Sequence, residues 1–557
     1  MKMMKELFDG YENMELLDFS CIERAGGNLT AFGDLSSYDK SGVLKACGRC
    51  GDGVLRQLYT SSDNHVGVIA ATRLGKTTSY VIPTVVSFAR HKKKKSMVIS
   101  DPKGEIYRRT AATLRAEGYK VKLLNFRDYS HSEYWNTLTP IFRKYRAAFS
   151  VSKEVGVTEC ADGTVRNVFR GKVYDSQREL DADLRNAKSV MIDDVGNDLD
   201  NVSRLLITAE RTSDPFWEES ARDVLKAFLW AMLEDSNKTG ANAITEDTFS
   251  FSTILRVVAQ FKEGNEYQMD DRGYFSSRPV DSMAYILSKN SIVENARATR
   301  KGIMSTFMSK VSLFAEVVVR LLTSCNSFDV SEILDGPTVV FIDYRDEIRA
   351  HYKLISMFVQ EVYRILIEKA NDRPDGRLET PFYFILDEFG NFPRIPDFEA
   401  TISACAGRNI FFMLIVQSYA QLDAVYGADV AEIIRDNLNV HIFFGSNNPG
   451  TLEKFSQECG RMTRISPLSA LNGDGTEICS YQMESLPLVP RSRLCNLAPG
   501  ECVVTEANCG YVMLSQLTRY FECDEFKDLP TSSEKDYKCD VNPFDKKYIY
   551  EYKPVRS

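Results

Sequence analysis

The chain has 557 residues and a formal net charge of -8, with 44% hydrophobic and 26% charged residues. That length exceeds what one hydrophobic core usually supports, so two or more domains are expected, and the composition excludes collagen, coiled coil, repeat array and extended disorder. The acidic balance excludes a global positive field, so any contact with nucleic acid has to be local.

From the N-terminus, no targeting segment is evident, and no stretch approaches the roughly 18 to 20 uninterrupted apolar residues of a membrane helix. The expectation is a soluble, cytoplasmic chain. Thirteen cysteines without regular spacing suit free thiols in a reducing compartment. Cys47 and Cys50 form a lone CxxC. With no second pair to complete four zinc ligands, it reads as incidental.

The first chemical motif follows at once. His65-Val-Gly-Val-Ile-Ala-Ala-Thr-Arg-Leu-Gly-Lys-Thr-Thr is a strand (Val66 to Ala71) entering a turn and a helix, the layout of a phosphate-binding P-loop. Gly75 lets the backbone approach phosphate, Lys76 neutralises the β and γ phosphates, and Thr77 ligates Mg²⁺. Arg73, Leu74, Gly75, Lys76, Thr77 and Thr78 are therefore the candidate contacts of bound ATP. Ala70 stands where the first Gly of the motif is usual. Ala enters positive φ less readily than Gly, so binding would suffer if that position required it.

The basic run His91 to Lys95 precedes a strand from Ser96 and reads as a solvated loop. Further short runs, apolar on both faces, suit strands of a buried parallel sheet: Met97 to Ser100, Val121 to Phe126, Thr338 to Ile342, Phe382 to Leu386, Ile410 to Val416 and His441 to Phe444. Between Tyr352 and Ala370, Leu354, Phe358, Val362 and Ile365 mark one face of a helix. Alternating strands and helices imply an α/β domain. The alternation breaks from Phe142 to Phe328, where a small hairpin (Val155 to Val173), helices (Asp214 to Glu234, Asn290 to Leu322) and a surface loop (Gly264 to Pro279) suggest a mainly α-helical domain inserted in the sheet domain.

Phe382-Tyr-Phe-Ile-Leu-Asp-Glu ends a buried strand in paired carboxylates, the Walker B arrangement. Asp387 would hold the hydration shell of Mg²⁺, and Glu388 would orient and deprotonate the attacking water. Gln417, closing the next strand, can sense the γ phosphate through water. Arg408, just before that strand, is either an arginine finger for a neighbouring subunit or a solvated loop residue. Two phosphate-chemistry motifs at strand ends make a P-loop NTPase far more economical than two coincidences.

The words between these parts resemble one family. Thr72-Arg-Leu-Gly-Lys-Thr-Thr, Val81-Ile-Pro-Thr, Ser100-Asp-Pro-Lys-Gly-Glu, Trp135-Asn-Thr-Leu, Asp214-Pro-Phe-Trp, Leu386-Asp-Glu-Phe-Gly-Asn, Ile395-Pro-Asp-Phe, Gly407-Arg-Asn, Val416-Gln-Ser, Gln421-Leu and Tyr426-Gly-Ala are similar to motifs of the type IV coupling proteins of conjugation. The resemblance runs from about Asn64 to Glu506. It implies a RecA-like motor domain with an all-α domain, and ring-shaped homohexamers, or a monomer in isolation. It also implies ATP hydrolysis coupled to passage of single-stranded DNA, with the relaxase or relaxosome and the type IV secretion channel proteins as partners. Lys76, Thr77, Asp387, Glu388, Gln417 and Arg408 fall on the family's nucleotide and inter-subunit positions. Asp101 to Glu105 matches a family motif that is as compatible with a catalytic role as with a turn.

The layout expected is a segment 1–50, a first motor part 51–141, a helical cargo-recognition domain 142–328, a second motor part 329–525 and a tail 526–557. Family members usually carry transmembrane helices ahead of the motor. Here membrane contact would run through a partner or be peripheral, at the inner face of the cell membrane, or the chain is a shortened one. The competing functions are a receptor ATPase for protein effectors and a nucleotide-binding adaptor without motor activity.

Overall fold

The computed structural model describes residues 42–49, 55–60, 62–159, 164–208, 214–240, 242–261, 270–471, 477–507 and 512–550. The CxxC lies outside this set, since Cys50 and the side chain of Cys47 are not described. The strands in chain order are β1 (Leu44–Arg49), β2 (Leu55–Tyr59), β3 (Val66–Ala70), β4 (Ser96–Asp101), β5 (Lys120–Asn125), β6 (Gly156–Glu159), β7 (Val165–Phe169) and β8 (Lys172–Tyr174). They continue as β9 (Thr338–Asp343), β10 (Phe382–Leu386), β11 (Ile410–Val416), β12 (Val440–Gly445), β13 (Arg461–Leu471), β14 (Glu477–Pro487), β15 (Glu501–Glu506) and β16 (Val512–Gln516).

Among the described residues the main sheet runs β16-β15-β12-β3-β11-β10-β4-β9-β5. The pairs β12·β3, β3·β11, β11·β10, β10·β4 and β4·β9 are parallel, while β12·β15 and β15·β16 are antiparallel. β3, β4, β9, β10, β11 and β12 are buried along their whole length, the burial that their runs of Val, Ile and Phe anticipate. Parallel strands in register bring all their C-terminal ends to one edge, and that edge carries the chemistry. This is the α/β, RecA-like P-loop fold with a helical domain that the sequence led us to expect.

The chain divides into two compact units. The first takes residues up to Leu123, Val330–Glu347 and Val362–Asp536; the second takes Leu124–Asp329, Ile348–Glu361 and the residues from Tyr537 on. Within the second, the helix Pro215–Asp235 is the centre, burying Phe228, which stacks on Tyr274 and Phe307. Asp214 caps this helix by accepting the Phe216 N–H. Strands β6, β7 and β8 form an antiparallel sheet whose Phe169 and Tyr174 pack with Leu180 and Ala187 of the helix Gln177–Leu206. The hairpin thus gains a third strand, though its Gly163 turn lies outside the described residues.

Three local expectations change. The loop Gly264 to Pro279 contains a short helix, Asp271–Ser276, capped by Asp270, while 262–269 lie outside the described residues. The basic run is not uniformly solvated: Lys92 and Lys93 are exposed, but Lys95 is 1% exposed and paired with Asp63, because it ends the run directly before the buried strand β4. The helix expected over Asn290 to Leu322 is broken into Arg297–Val311 and Val317–Leu322.

Candidate active site

The P-loop leaves β3 at Ala70, which is fully buried and still part of the strand. The left-handed residues of the loop are Arg73 (φ 69°) and Gly75 (φ 84°). Ala70 therefore costs nothing in backbone strain, because the turn it was feared to obstruct is made later in the loop. Left-handed residues alternating with ordinary ones are the geometry of backbone nests that hold anions. Thr78 donates to the Gly75 carbonyl (3.1 Å), Ser79 N–H donates to the same oxygen (2.8 Å), and a helical turn from Thr77 continues into the helix Ile82–Arg90. Leu74 stands 40% exposed at the tip of the loop. On its other side the loop is braced by β12, whose Gly445 carbonyl accepts the Ala71 N–H (2.9 Å).

Strand order decides what this loop faces. β11 lies between the P-loop strand β3 and the acid strand β10, so Gln417, directly after β11, comes up at the edge where Lys76 meets the two acids. Lys76 Nζ stands 2.8 Å from Asp387 Oδ1 and 2.5 Å from Glu388 Oε1. Gln417 Nε2 donates to the other Glu388 oxygen at 2.9 Å. Glu388 itself is left-handed (φ 56°), a conformation that a residue with a Cβ adopts only when its surroundings enforce it. The Asp387 carbonyl accepts from Ser100 Oγ (3.1 Å) and Tyr344 OH (3.4 Å), and Asp387 Oδ1 accepts the Glu388 N–H (2.9 Å).

The electrostatics are uneven. Burial alone would pull the Lys76 ammonium down, but Asp387 and Glu388 together hold it above the ordinary lysine value. Burial pushes the Asp387 carboxyl up, and Glu388 adds to this although Lys76 opposes it. One ammonium thus faces two acids and leaves Asp387 undercompensated. That donor set, oxygen-rich and short of positive charge, fits a hard divalent cation such as Mg²⁺.

Asp101, 1% exposed at the end of β4, accepts the Tyr107 N–H at 2.8 Å and so closes the turn into the helix Glu105–Ala116. It stands in register with Asp343 of β9. Burial, with Asp343 and Asp387 adding, raises its carboxyl to about 8. Trp135 and Asn136 are scaffold: Trp135 Nε1 donates to Glu361 (3.1 Å), and Asn136 Nδ2 donates to the Phe249 carbonyl (2.8 Å). Arg408 is not brought to the phosphate loop. It precedes β11 whereas Gln417 follows it, so the strand of seven residues, roughly 23 Å, separates them. Its guanidinium donates to the Ala404 carbonyl (2.9 Å). Tyr344 and Gly445 escaped the sequence reading, and Ser100 entered it only as part of a family motif, because each reaches the site through strand pairing or a side chain to backbone bond that no local pattern encodes.

The fold and this constellation define a P-loop protein of RecA-like type. The chain belongs to the family described as type IV secretory system conjugative DNA transfer, whose profile matches residues 27–534. It is 24% identical over 473 residues to the conjugal transfer protein TraG of Escherichia coli, covering 81% of this chain and 63% of that protein. To VirD4 of Rhizobium rhizogenes it is 22% identical over 451 residues, covering 79% and 56%. The chain therefore spans less than two thirds of these relatives. Among solved structures, the bacterial conjugative coupling protein TrwBdeltaN70 in an unbound form superposes with a TM-score of 0.55 at 15% identity, covering 82% of this chain and 84% of that one. TrwB in complex with ADP and Mg²⁺ gives 0.53, also at 15% identity, covering 82% and 85%. Among the described residues no helix is long and apolar enough to cross a membrane.

Proposed function

We propose that this protein is an ATP-hydrolysing coupling protein that recruits a relaxase–DNA complex and drives single-stranded DNA into a type IV secretion channel. The observation that carries the reading is the placement of Lys76 against Asp387 and Glu388, with Gln417 on the second acid. Family membership and the likeness to a protein solved in complex with ADP and Mg²⁺ support it.

In this reading the Arg73–Thr78 backbone cradles the phosphates of ATP, and Lys76 leaves the acids to neutralise the β and γ oxygens. Thr77 and Asp387 would hold Mg²⁺, which supplies charge neutralisation on the same oxygens. Glu388, released from Lys76, orients the attacking water and accepts its proton. Gln417, already bonded to Glu388, reports the γ phosphate to β11. Arg408, roughly a strand's length from this chain's own phosphates, serves the site of a neighbouring subunit in a homohexamer. The helical unit, which holds none of these residues, selects the cargo, and contact with the membrane is peripheral or through a partner.

The test is ATP turnover with and without single-stranded DNA, read beside the mass in solution. Stimulation by DNA is expected together with assembly. Turnover indifferent to DNA but raised by a secreted protein would favour effector export, and ATP binding without turnover would favour an adaptor.

A further inference from the structure

The Walker B turn and the sensor strand are tied together at a second point, one helical turn beyond Gln417. The Gln417 N–H donates to the side-chain Oε1 of Gln421 at 2.9 Å, on the helix Tyr419–Tyr426. Gln421 in turn lies against Gly390, two residues beyond Glu388. A Cβ on Gly390 would fall 2.6 Å from Gln421 Oε1 and 2.7 Å from its Cβ and Cδ, inside any real contact distance. Gly390 is thus the residue that lets Gln421 come close. From the opposite side Ser446 Oγ donates to the Gln417 carbonyl at 3.1 Å. The Gln417 backbone is therefore held at both of its polar groups while its side-chain amide holds Glu388 at 2.9 Å.

A closed circuit results: Glu388 to Gln417 through side chains, Gln417 to Gln421 through backbone and amide, Gln421 to Gly390 by packing, and Gly390 back to Glu388 along the turn Phe389–Asn391. Such a loop fixes where the left-handed Glu388 carboxylate stands. We propose that Gln421 is a positioning residue for ATP hydrolysis: it sets the Gln417 backbone, and through the Gln417 amide it sets the general base. What it supplies is the acceptor oxygen, and Gly390 supplies the room. The inference rests on the hydrolytic reading above.

Steady-state ATP turnover of the full chain tests it. Gln421→Leu keeps bulk but removes the acceptor, so kcat should fall about tenfold while KM for ATP stays near the wild-type value. In a Gln417→Ala background the same change should cost nothing more, because the group that it positions is gone. Gln421→Glu retains an oxygen at that place and should remain within about threefold of wild type. Gly390→Ala, which must displace Gln421 without touching its chemistry, should reproduce the fall in kcat and carries the test if Gln421→Leu does not fold. An unchanged kcat in Gln421→Leu or in Gly390→Ala overturns the proposal, as does an additive loss in the Gln417→Ala background or a Gln421→Glu loss as deep as that of the Leu variant. If the wild type hydrolyses ATP and Glu388→Gln does not, such a result refutes the relay alone. A wild type without turnover refutes the hydrolytic reading and the relay with it.

Discussion

The two ends of the main sheet treat charge in opposite ways. At the N-terminal end, buried charges are matched and cushioned. Lys95 pairs with Asp63, lies 4.2 Å over the Phe88 ring and 5.3 Å from that of Tyr383, and Tyr383 OH donates to the same aspartate at 2.7 Å. Lys45 meets Glu506 at 2.6 Å, and the buried His65, pushed down to about 4 by burial, accepts the Phe412 N–H at 2.9 Å as a neutral ring. At the C-terminal end one lysine is shared by two acids, Asp101 and Asp343 lie buried beside them, and backbone strain collects at Arg73 and Glu388. A one-to-one buried pair is already at rest, whereas two acids on one ammonium can exchange it for a stronger cation and a polyanion. The contrast is thus between charges matched one to one and a lysine divided between two carboxylates.

The largest effect should come from removing the shared cation. Lys76→Ala should abolish ATP turnover, a fall of at least about a hundredfold, while circular dichroism and melting temperature stay close to wild type. Undiminished turnover in the folded variant would break the contrast by placing the chemistry elsewhere. Next comes Glu388→Gln, which keeps shape and hydrogen bonding but cannot accept a proton. ATP binding should persist in a filter or fluorescence assay while hydrolysis drops roughly 10²- to 10⁴-fold. Loss of affinity with normal residual chemistry would contradict its role as base.

Arg408 sharpens the comparison, since it is a functional candidate at the quiet end of the sheet. If it completes a neighbour's site, specific activity should rise with protein concentration, and Arg408→Ala should bind ATP normally yet turn it over about tenfold more slowly or worse at every concentration. Mixing Lys76→Ala with Arg408→Ala should then recover part of the activity. No recovery in verified mixed rings would leave Arg408 as a loop residue and the N-terminal end purely structural.

The smallest effect concerns Asp101. Its carboxyl rises from 3.8 in the unfolded chain to about 8 in the fold, so between those values the native state holds a proton that the unfolded state has lost. Stability from this group is present in full below the unfolded value and falls as pH climbs toward 8. Asp101→Asn keeps an acceptor for the Tyr107 N–H and removes the titration. Its melting temperature should therefore match wild type near pH 4 and exceed it by several degrees near pH 8. A gap that does not change with pH would show that Asp101 is ionised in the fold.

Much of the fold and the centre of the site were legible in the sequence. Phe382–Leu386 and Ile410–Val416 have the bounds that their apolar runs indicate, and the helix expected over Tyr352 to Ala370 spans Arg349–Asn371. These are local decisions: a short run apolar on both faces and rich in Phe, Ile and Val suits a buried strand, and spacing of three and four residues marks one face of a helix. Gly75-Lys76-Thr77 and Asp387-Glu388 were visible for the same reason, since each motif is contiguous. What local pattern could not decide is which strand ends adjoin. That Lys76 touches a carboxylate 312 residues away, with β11 between their strands, is settled by strand order. So are the bond of Gln417 to Glu388 and the pairing of Lys95 with Asp63. Each depends on residues at the ends of separate strands meeting at one edge, and the energy of that meeting is written in pairing across the sheet, where no window of sequence can hold it.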